Sequence, residues 1–181
     1  VQEFVDWVRK NPGKINYASP GNGSPPHLAM ELLAQTFGLN MVHVAYKGSA
    51  PAINDLVAGH VPVMFDNVLA SISNVQGGRI RALAVTSAQR TSGLPAVATF
   101  KEAGVSDFEV STWTVLLAPA GTPRAIVDLL SSEVRQMFAE QEFQSRLQAQ
   151  GVVPTAMTPD ETQRFVADEI QKWSKVVKQA K

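Results

Sequence analysis

Cysteine is absent from all 181 residues. Disulfides, thiol catalysis and thiolate-held metals are excluded with it, while the compartment stays open, since many exported proteins lack cysteine too. An excess charge of either sign is also lacking: 16 Lys and Arg stand against 16 Asp and Glu. Nucleic acid and anionic membrane surfaces both require a positive field, so neither is expected as a partner. No apolar run approaches the roughly 20 residues of a membrane span, so the chain is not expected to be membrane-embedded. Its opening residues do not read as a signal peptide. What is present is 45% hydrophobic and 18% charged residues, the profile of a globular protein with a substantial core.

The opening residues raise a question of their own. Val1, Phe4, Val5 and Val8 follow helical spacing and Asn11-Pro12-Gly13 stops the pattern, yet no capping residue precedes it. The chain is expected to open inside or at the edge of a helix, as a processed fragment or with upstream residues not included.

Strand-like and helix-like segments then alternate. INYAS (Ile15–Ser19), MVHVAY (Met41–Tyr46), VPVMFD (Val61–Asp66) and IRALAVT (Ile80–Thr86) read as strands. Between them, helices are predicted from about Pro25 to Phe37, buried through Leu28, Leu32, Leu33 and Phe37, near Ala50–Ala58, and up to Gln76 before Gly77-Gly78. This alternation argues for a parallel sheet with helices on its faces. Phe108–Pro119 reads as one long crossover strand. Thr122-Pro123 then starts a helix with Ile126, Leu130, Val134 and Met137 or Phe138 inward, stopped by Gly151. VVPTAM is a short strand candidate. Thr158-Pro159-Asp160-Glu161 is a capping box, opening a last helix expected to bury Val166, Ile170, Trp173 and Val177. One complete α/β domain is expected over residues 13–107. Residues 1–12 and 108–181 are expected to form part of a second, whose missing strands belong to an absent N-terminal segment or to another chain.

The stretch PGNGSPPH, from Pro20, carries the first functional question. Gly21 and Gly23 permit backbone angles closed to other residues, so amides can turn inward around an anion. Ser24 caps the following helix, whose N-terminus favours negative charge. Pro25 and Pro26 have no N–H, so the amides from Gly21 to Ser24 must do most of any binding, with His27 adding a donor. The alternative is a tight turn with a serine cap. Neither common phosphate motif fits: the Walker lysine is missing, and Pro26 stands where a dinucleotide fingerprint needs its third glycine. The other strand ends carry Tyr46-Lys47-Gly48-Ser49, Asp66-Asn67 and Thr86-Ser87. In an open parallel sheet these ends share one edge, where ligands bind. Their groups suit a small polar ligand bearing carboxylates. Ser24, His27 and Asp66 also allow a catalytic triad to be drawn, although a Ser–His spacing of three gives no nucleophile geometry by itself. His27, His43 and His60 show no metal spacing, and His43 and His60 read as ordinary core or surface residues. No metal or cofactor is expected.

The string NPGKINYASPGNGSPPHLAMELLAQTFGLNMVHVAYKGSAPAINDLVAGHVPVMFDN, with IRALAVTSAQR, LPAVATFKEAG and TWTVLLAPAGTP, resembles the Bug-type, or TctC-type, substrate-binding proteins of bacterial tripartite tricarboxylate transporters. The resemblance covers nearly the whole chain. It implies a periplasmic binding protein-like (type II) Venus flytrap, of which this chain holds one complete parallel-sheet α/β domain and the C-terminal part of a second. It implies a periplasmic protein that binds a carboxylate-bearing solute in an interdomain cleft, does no chemistry, and delivers the solute to membrane components of the transporter. By that resemblance Ser19, Gly21, Asn22, Gly23, Ser24 and His27 form the carboxylate loop. Tyr46, Lys47 and Gly48 match the motif at the next strand end, and Asp66 matches an acidic position that selects the ligand. The family often follows its tryptophan with an aromatic residue and glycine; here Thr114 and Val115 follow Trp113, which puts a cleft contact by Trp113 in doubt. An α/β enzyme using Ser24, His27 and Asp66 on a small carboxylic acid, or a sensory or scavenging module with the same pocket, are the alternative readings.

Overall fold

The computed structural model describes residues 1–106, 108–149 and 152–179. They divide into two compact units, one of Val1–Thr112 with the residues from Val176 on, the other of Trp113–Lys175.

In the first unit, β1 (Asn16–Ser19) and β2 (Val42–Ala45) pair in parallel, with Tyr17 opposite His43 and Ser19 opposite Ala45. Between them runs α2 (Pro25–Phe37), and after them α3 (Ser49–Val57) and α4 (Val68–Gln76). Alternation along a strand sends successive side chains to opposite faces. Ala18 and Val44 therefore face one way, into a cluster with Ala52 of α3 and Val61. Tyr17, Ser19 and His43 face the other way, where Tyr17 meets Glu31 of α2 and His43 meets His27. Helices thus cover both faces of a parallel pair, as the alternating pattern predicts. Ahead of it α1 (Gln2–Lys10) buries Val5 and Val8 of its expected apolar face and has no side-chain cap.

The third predicted strand shrinks to a single bridge, Ala18 to Met64, held by Ala18 N–H donating to Val63 O at 3.0 Å. Pro62 has no N–H to extend the ladder. Ile80–Thr86 forms no strand either: Val85 bridges to Thr99 instead of to the parallel pair. Below it Phe65, Phe100 and Phe108 cluster, with the rings of Phe100 and Phe108 4.6 Å apart. Among the described residues the long strand expected over Phe108–Pro119 is also missing. Its start is tied to Thr86, whose hydroxyl donates to Val110 O at 2.5 Å. Farther on, Leu116 and Leu117 are 72% and 77% exposed. An extended segment becomes a strand only when a neighbour takes its backbone groups. The α2 stripe is rotated from expectation: Ala29, Met30 and Leu33 are buried, while Leu28, Leu32 and Phe37 are only half-buried.

The second unit holds α5 (Arg124–Ala139), α6 (Gln141–Ala149) and most of α7 (Pro159–Gln179). A single helix was expected up to Gly151, which lies outside the described residues. The helix breaks at Glu140, in extended conformation at φ −71° and ψ 122°. Thr122 does not cap it; its hydroxyl donates to Pro119 O, and helical structure starts at Arg124. The expected inner face is largely open, with Ile126, Leu130 and Met137 exposed. Val152–Met157 is irregular rather than a strand, with Pro154 within it. The capping box holds in full: Thr158 N–H donates to Glu161 Oε2 at 2.8 Å, and Glu161 N–H donates back to Thr158 Oγ1 at 3.3 Å. The inward stripe of α7 is shifted by about one residue from the expected one. Ile170 is 62% exposed and Val177 is exposed, whereas Phe165, Glu169, Trp173 and Val176 face inward. On that face Glu169 Oε2 accepts both indole N–H groups, from Trp113 at 3.0 Å and Trp173 at 2.9 Å. Trp113 is thereby fixed against α7, edge-on to Phe165.

Candidate functional site

Two strand ends and one irregular turn meet at the carboxyl edge of the parallel pair. The β1–α2 loop and the β2–α3 loop are stitched together by Tyr46 N–H donating to Ser19 O at 2.9 Å and Gly48 N–H donating to Pro20 O at 2.8 Å. A Cβ on Gly21 would lie 3.4 Å from Tyr46 O, so the two backbones approach closely there. Ser19, Gly21–Ser24, His27 and Tyr46–Gly48 are therefore brought together, as the sequence predicts for groups at one sheet edge. Asp66 reaches the same edge through Ser49, the first residue of α3. Ser49 Oγ donates to Asp66 Oδ1 at 2.7 Å and Ser71 Oγ, from α4, donates to Oδ2 at 2.9 Å.

The loop satisfies most of its own polar groups. Ser19 is fully buried, and its Oγ accepts from Gly21 N–H at 3.2 Å and lies 3.1 Å from Gly21 O and 2.6 Å from His43 Nε2. Ser24 does both of its expected jobs. Its Oγ donates to Gly21 O at 2.7 Å and accepts the first-turn amide of His27 at 3.4 Å, with Pro25 at the first helical position. Gly23, at φ +73°, takes a backbone conformation that favours glycine, and its N–H donates to His27 Nδ1 at 3.0 Å. Of the four loop amides expected to hold an anion, those of Gly21, Gly23 and Ser24 thus have acceptors inside the loop. Among the described residues the amides of Asn22 and Lys47 have none, and neither do their exposed side chains.

Side chains sort the site further. Tyr46 turns its hydroxyl away, donating to Asp55 Oδ2 of α3 at 2.7 Å. That bond raises the Tyr46 phenol pKa and, with His60, holds Asp55 below the usual carboxylate range. Ser24, His27 and Asp66 form no triad. Ser24 Oγ meets only the backbone of His27, the His27 ring is bonded to Gly23, and Asp66 is bonded to two other serines. Among the described residues no three His, Asp or Glu side chains converge as metal ligands. An open depression of the first unit, about 540 Å³ and lined by Val75, Arg79, Arg81 and Val97, holds none of the candidate residues. The amide, hydroxyl and ammonium groups singled out from the sequence converge at the sheet edge and not in that depression.

His43 is the residue that sequence reasoning missed. It holds Ser19, and its ring lies between those of His27, at 4.0 Å, and Tyr17, at 4.8 Å. Tyr17 in turn donates its hydroxyl to Glu31. Burial of the phenol, and then Glu31, drive the Tyr17 pKa far up. Burial, and then the charge of His27, hold the His43 imidazole below its ordinary range, with Glu31 opposing them. The signal was the period of two in MVHVAY, which puts His43 on the face opposite Val42 and Val44. It became useful only with the register, which sets His43 beside Tyr17.

Comparison with known proteins places this geometry in context. The sequence model of the family described as tripartite tricarboxylate transporter family receptor, TctC, matches residues 1–181. A UPF0065 protein from the tcbD–tcbE intergenic region of a Pseudomonas species is 38% identical, over 98% of this chain and 53% of its own length. Protein BugT of Bordetella pertussis is 36% identical, over 99% of this chain and 55% of its own. Among solved structures, R. palustris Rpa4515 with adipate superposes with a TM-score of 0.88 at 36% identity, covering 98% of this chain and 60% of that one. MatC of Rhodopseudomonas palustris with bound malate gives 0.82 at 30% identity, covering 98% and 61%. The chain thus spans about half the length of the curated relatives it matches.

Proposed function

Because this chain belongs to the TctC family of tripartite tricarboxylate transporter receptors, we propose that it binds a small carboxylate in the periplasm and delivers it unchanged to the membrane components of a transporter. The observation that carries this reading is the loop pair at the sheet edge. It combines a glycine-shaped turn, the acceptor-free amides of Asn22 and Lys47, and the Lys47 ammonium, all within one cross-bonded unit. A carboxylate brings acceptors to all three. Ser19 and Ser24 hold the loop's shape and do not act as nucleophiles, which is consistent with a receptor. Adipate and malate, the molecules in two similar structures, are dicarboxylates, and that is the ligand class proposed here.

Asp66 bears on the middle of such a ligand rather than on its second carboxylate. Both its oxygens already accept hydroxyls, and its charge disfavours a second ligand carboxylate directly against it. A ligand hydroxyl or a water is the partner it favours. The division expected from the sequence belongs to the same proposal. It takes residues 13–107 as one domain and residues 1–12 and 108–181 as part of a second.

Thermal unfolding of the full-length protein against a panel of small dicarboxylates tests the reading. A ligand at a hundred times its dissociation constant stabilises by about 2.7 kcal/mol, a shift of several degrees. Recovery of the ligand unchanged is expected. A panel without a single shift, or a ligand converted to product, would count against it.

A further inference from the structure

His27 stands at one end of a stack of titratable groups drawn from three elements. On α2 itself, Glu31 Oε1 is 3.9 Å from His27 Nε2. From β2 the His43 ring stacks on it, with centroids 4.0 Å apart and planes within 15°. From β1, Tyr17 stacks on His43 and donates its hydroxyl to Glu31. From the preceding loop, Gly23 N–H donates to His27 Nδ1 at 3.0 Å. That bond assigns the tautomer. An N–H can donate only to an unprotonated ring nitrogen, so the proton of the neutral ring sits on Nε2, on the side of Glu31.

A second proton on this ring has one place to go, Nδ1, where it meets the Gly23 N–H head on. The Gly23 bond is then lost. Gly23 N–H joins Asn22 N–H as a neighbouring donor without an acceptor, beside a cationic ring. His43 is poorly placed to take that proton instead, because it is half-buried and a charge on one stacked imidazole disfavours a charge on the other. The loop therefore has two states. With His27 neutral it is closed on itself; with His27 protonated it turns an additional amide and a positive charge toward an anion.

We propose that His27 is a positioning residue that couples carboxylate binding at this loop to the uptake of a proton. The proposal rests on the carboxylate-binding reading above. The bound state holds more protons than the free state, so affinity strengthens as pH falls. The steepest possible dependence is about tenfold per pH unit.

Calorimetric titration of the full-length protein with adipate, in two buffers of different ionisation enthalpy, counts the protons taken up per ligand. The range from about pH 6.5 to about 8.5 lies above that of carboxylates, so uptake there is not theirs. The expected result is a net uptake of a fraction of a proton, with a Kd that weakens as pH rises. In His27→Asn the side-chain oxygen can still accept the Gly23 amide but takes no proton, so uptake disappears and Kd becomes flat with pH. Wild-type binding without proton uptake overturns the proposal and leaves carboxylate binding standing. Uptake that persists in His27→Asn overturns it as well. If adipate and malate both fail to bind at every pH, the functional reading falls and the proposal falls with it.

Discussion

Ser19 shows how a fully buried hydroxyl can fix a loop, because its oxygen meets both backbone groups of Gly21 and the ring of His43. His43→Phe keeps an aromatic ring in the stack and removes the bond to Ser19. The expected cost is about 1 kcal/mol, the usual net worth of such a bond, read by urea denaturation, with weaker carboxylate binding alongside. Ser24→Ala removes both a helix cap and a bond to Gly21 O; about 1 kcal/mol is expected to be lost, in the same assay. Glu169 sets a pH dependence. Burial pulls its pKa up, but the indole N–H groups of Trp113 and Trp173, with Lys172, hold it below the usual carboxylate range overall. Its contribution is therefore fully present above the unfolded value of about 4.3 and is lost as pH falls through the lower folded value. Glu169→Gln should flatten that part of the acid-unfolding profile; an unchanged profile would remove Glu169 from the account. At this scale the sequence was readable wherever the chemistry is local. The Ser24 cap and the Thr158–Glu161 box need only three residues of spacing. His43 and Glu169 were missed because their partners lie 24 and 56 residues away, at Ser19 and Trp113.

Helices were more legible than strands for a physical reason. A helix closes its hydrogen bonds within its own segment, so caps and periodicity carry more of what places it than they do for a strand. α2 starts at Pro25 after Ser24 and ends at Gly38, whose φ of +61° suits glycine. Gly38→Ala should destabilise the protein by about 1 kcal/mol, seen as a lower urea midpoint, while carboxylate affinity changes little because the loop at the other end of α2 is untouched. Strands need partners that the sequence does not name. Asn16–Ser19 and Val42–Ala45 found each other; Ile80–Thr86 and Phe108–Pro119 read equally well as strands and found no ladder among the described residues. Buried faces slipped by about a residue for a related reason. Glu31 of α2 and Glu169 of α7, which hydrophobic spacing alone ranks as outward-facing, both turn to partners on other segments, Tyr17 and Trp113.

At the scale of the whole molecule, the family was legible because its signature is spread along the chain, and the family match covers residues 1–181. The loop that carries the proposed function was legible as a place, through its glycines and its position at a strand end. Its inner wiring was not. The sequence suggested four amides facing a ligand, whereas three of them are turned inward onto Ser19, His27 and Gly21. The account thus narrows the anion contact to Asn22 and Lys47, with Gly23 released by His27. Amide NMR of the full-length protein during titration with adipate and malate tests this most directly. Saturable shifts of the Asn22 and Lys47 amides with a common midpoint are expected, and of Gly23 increasingly as pH falls. Saturable binding that leaves the Asn22 and Lys47 amides unmoved would contradict it.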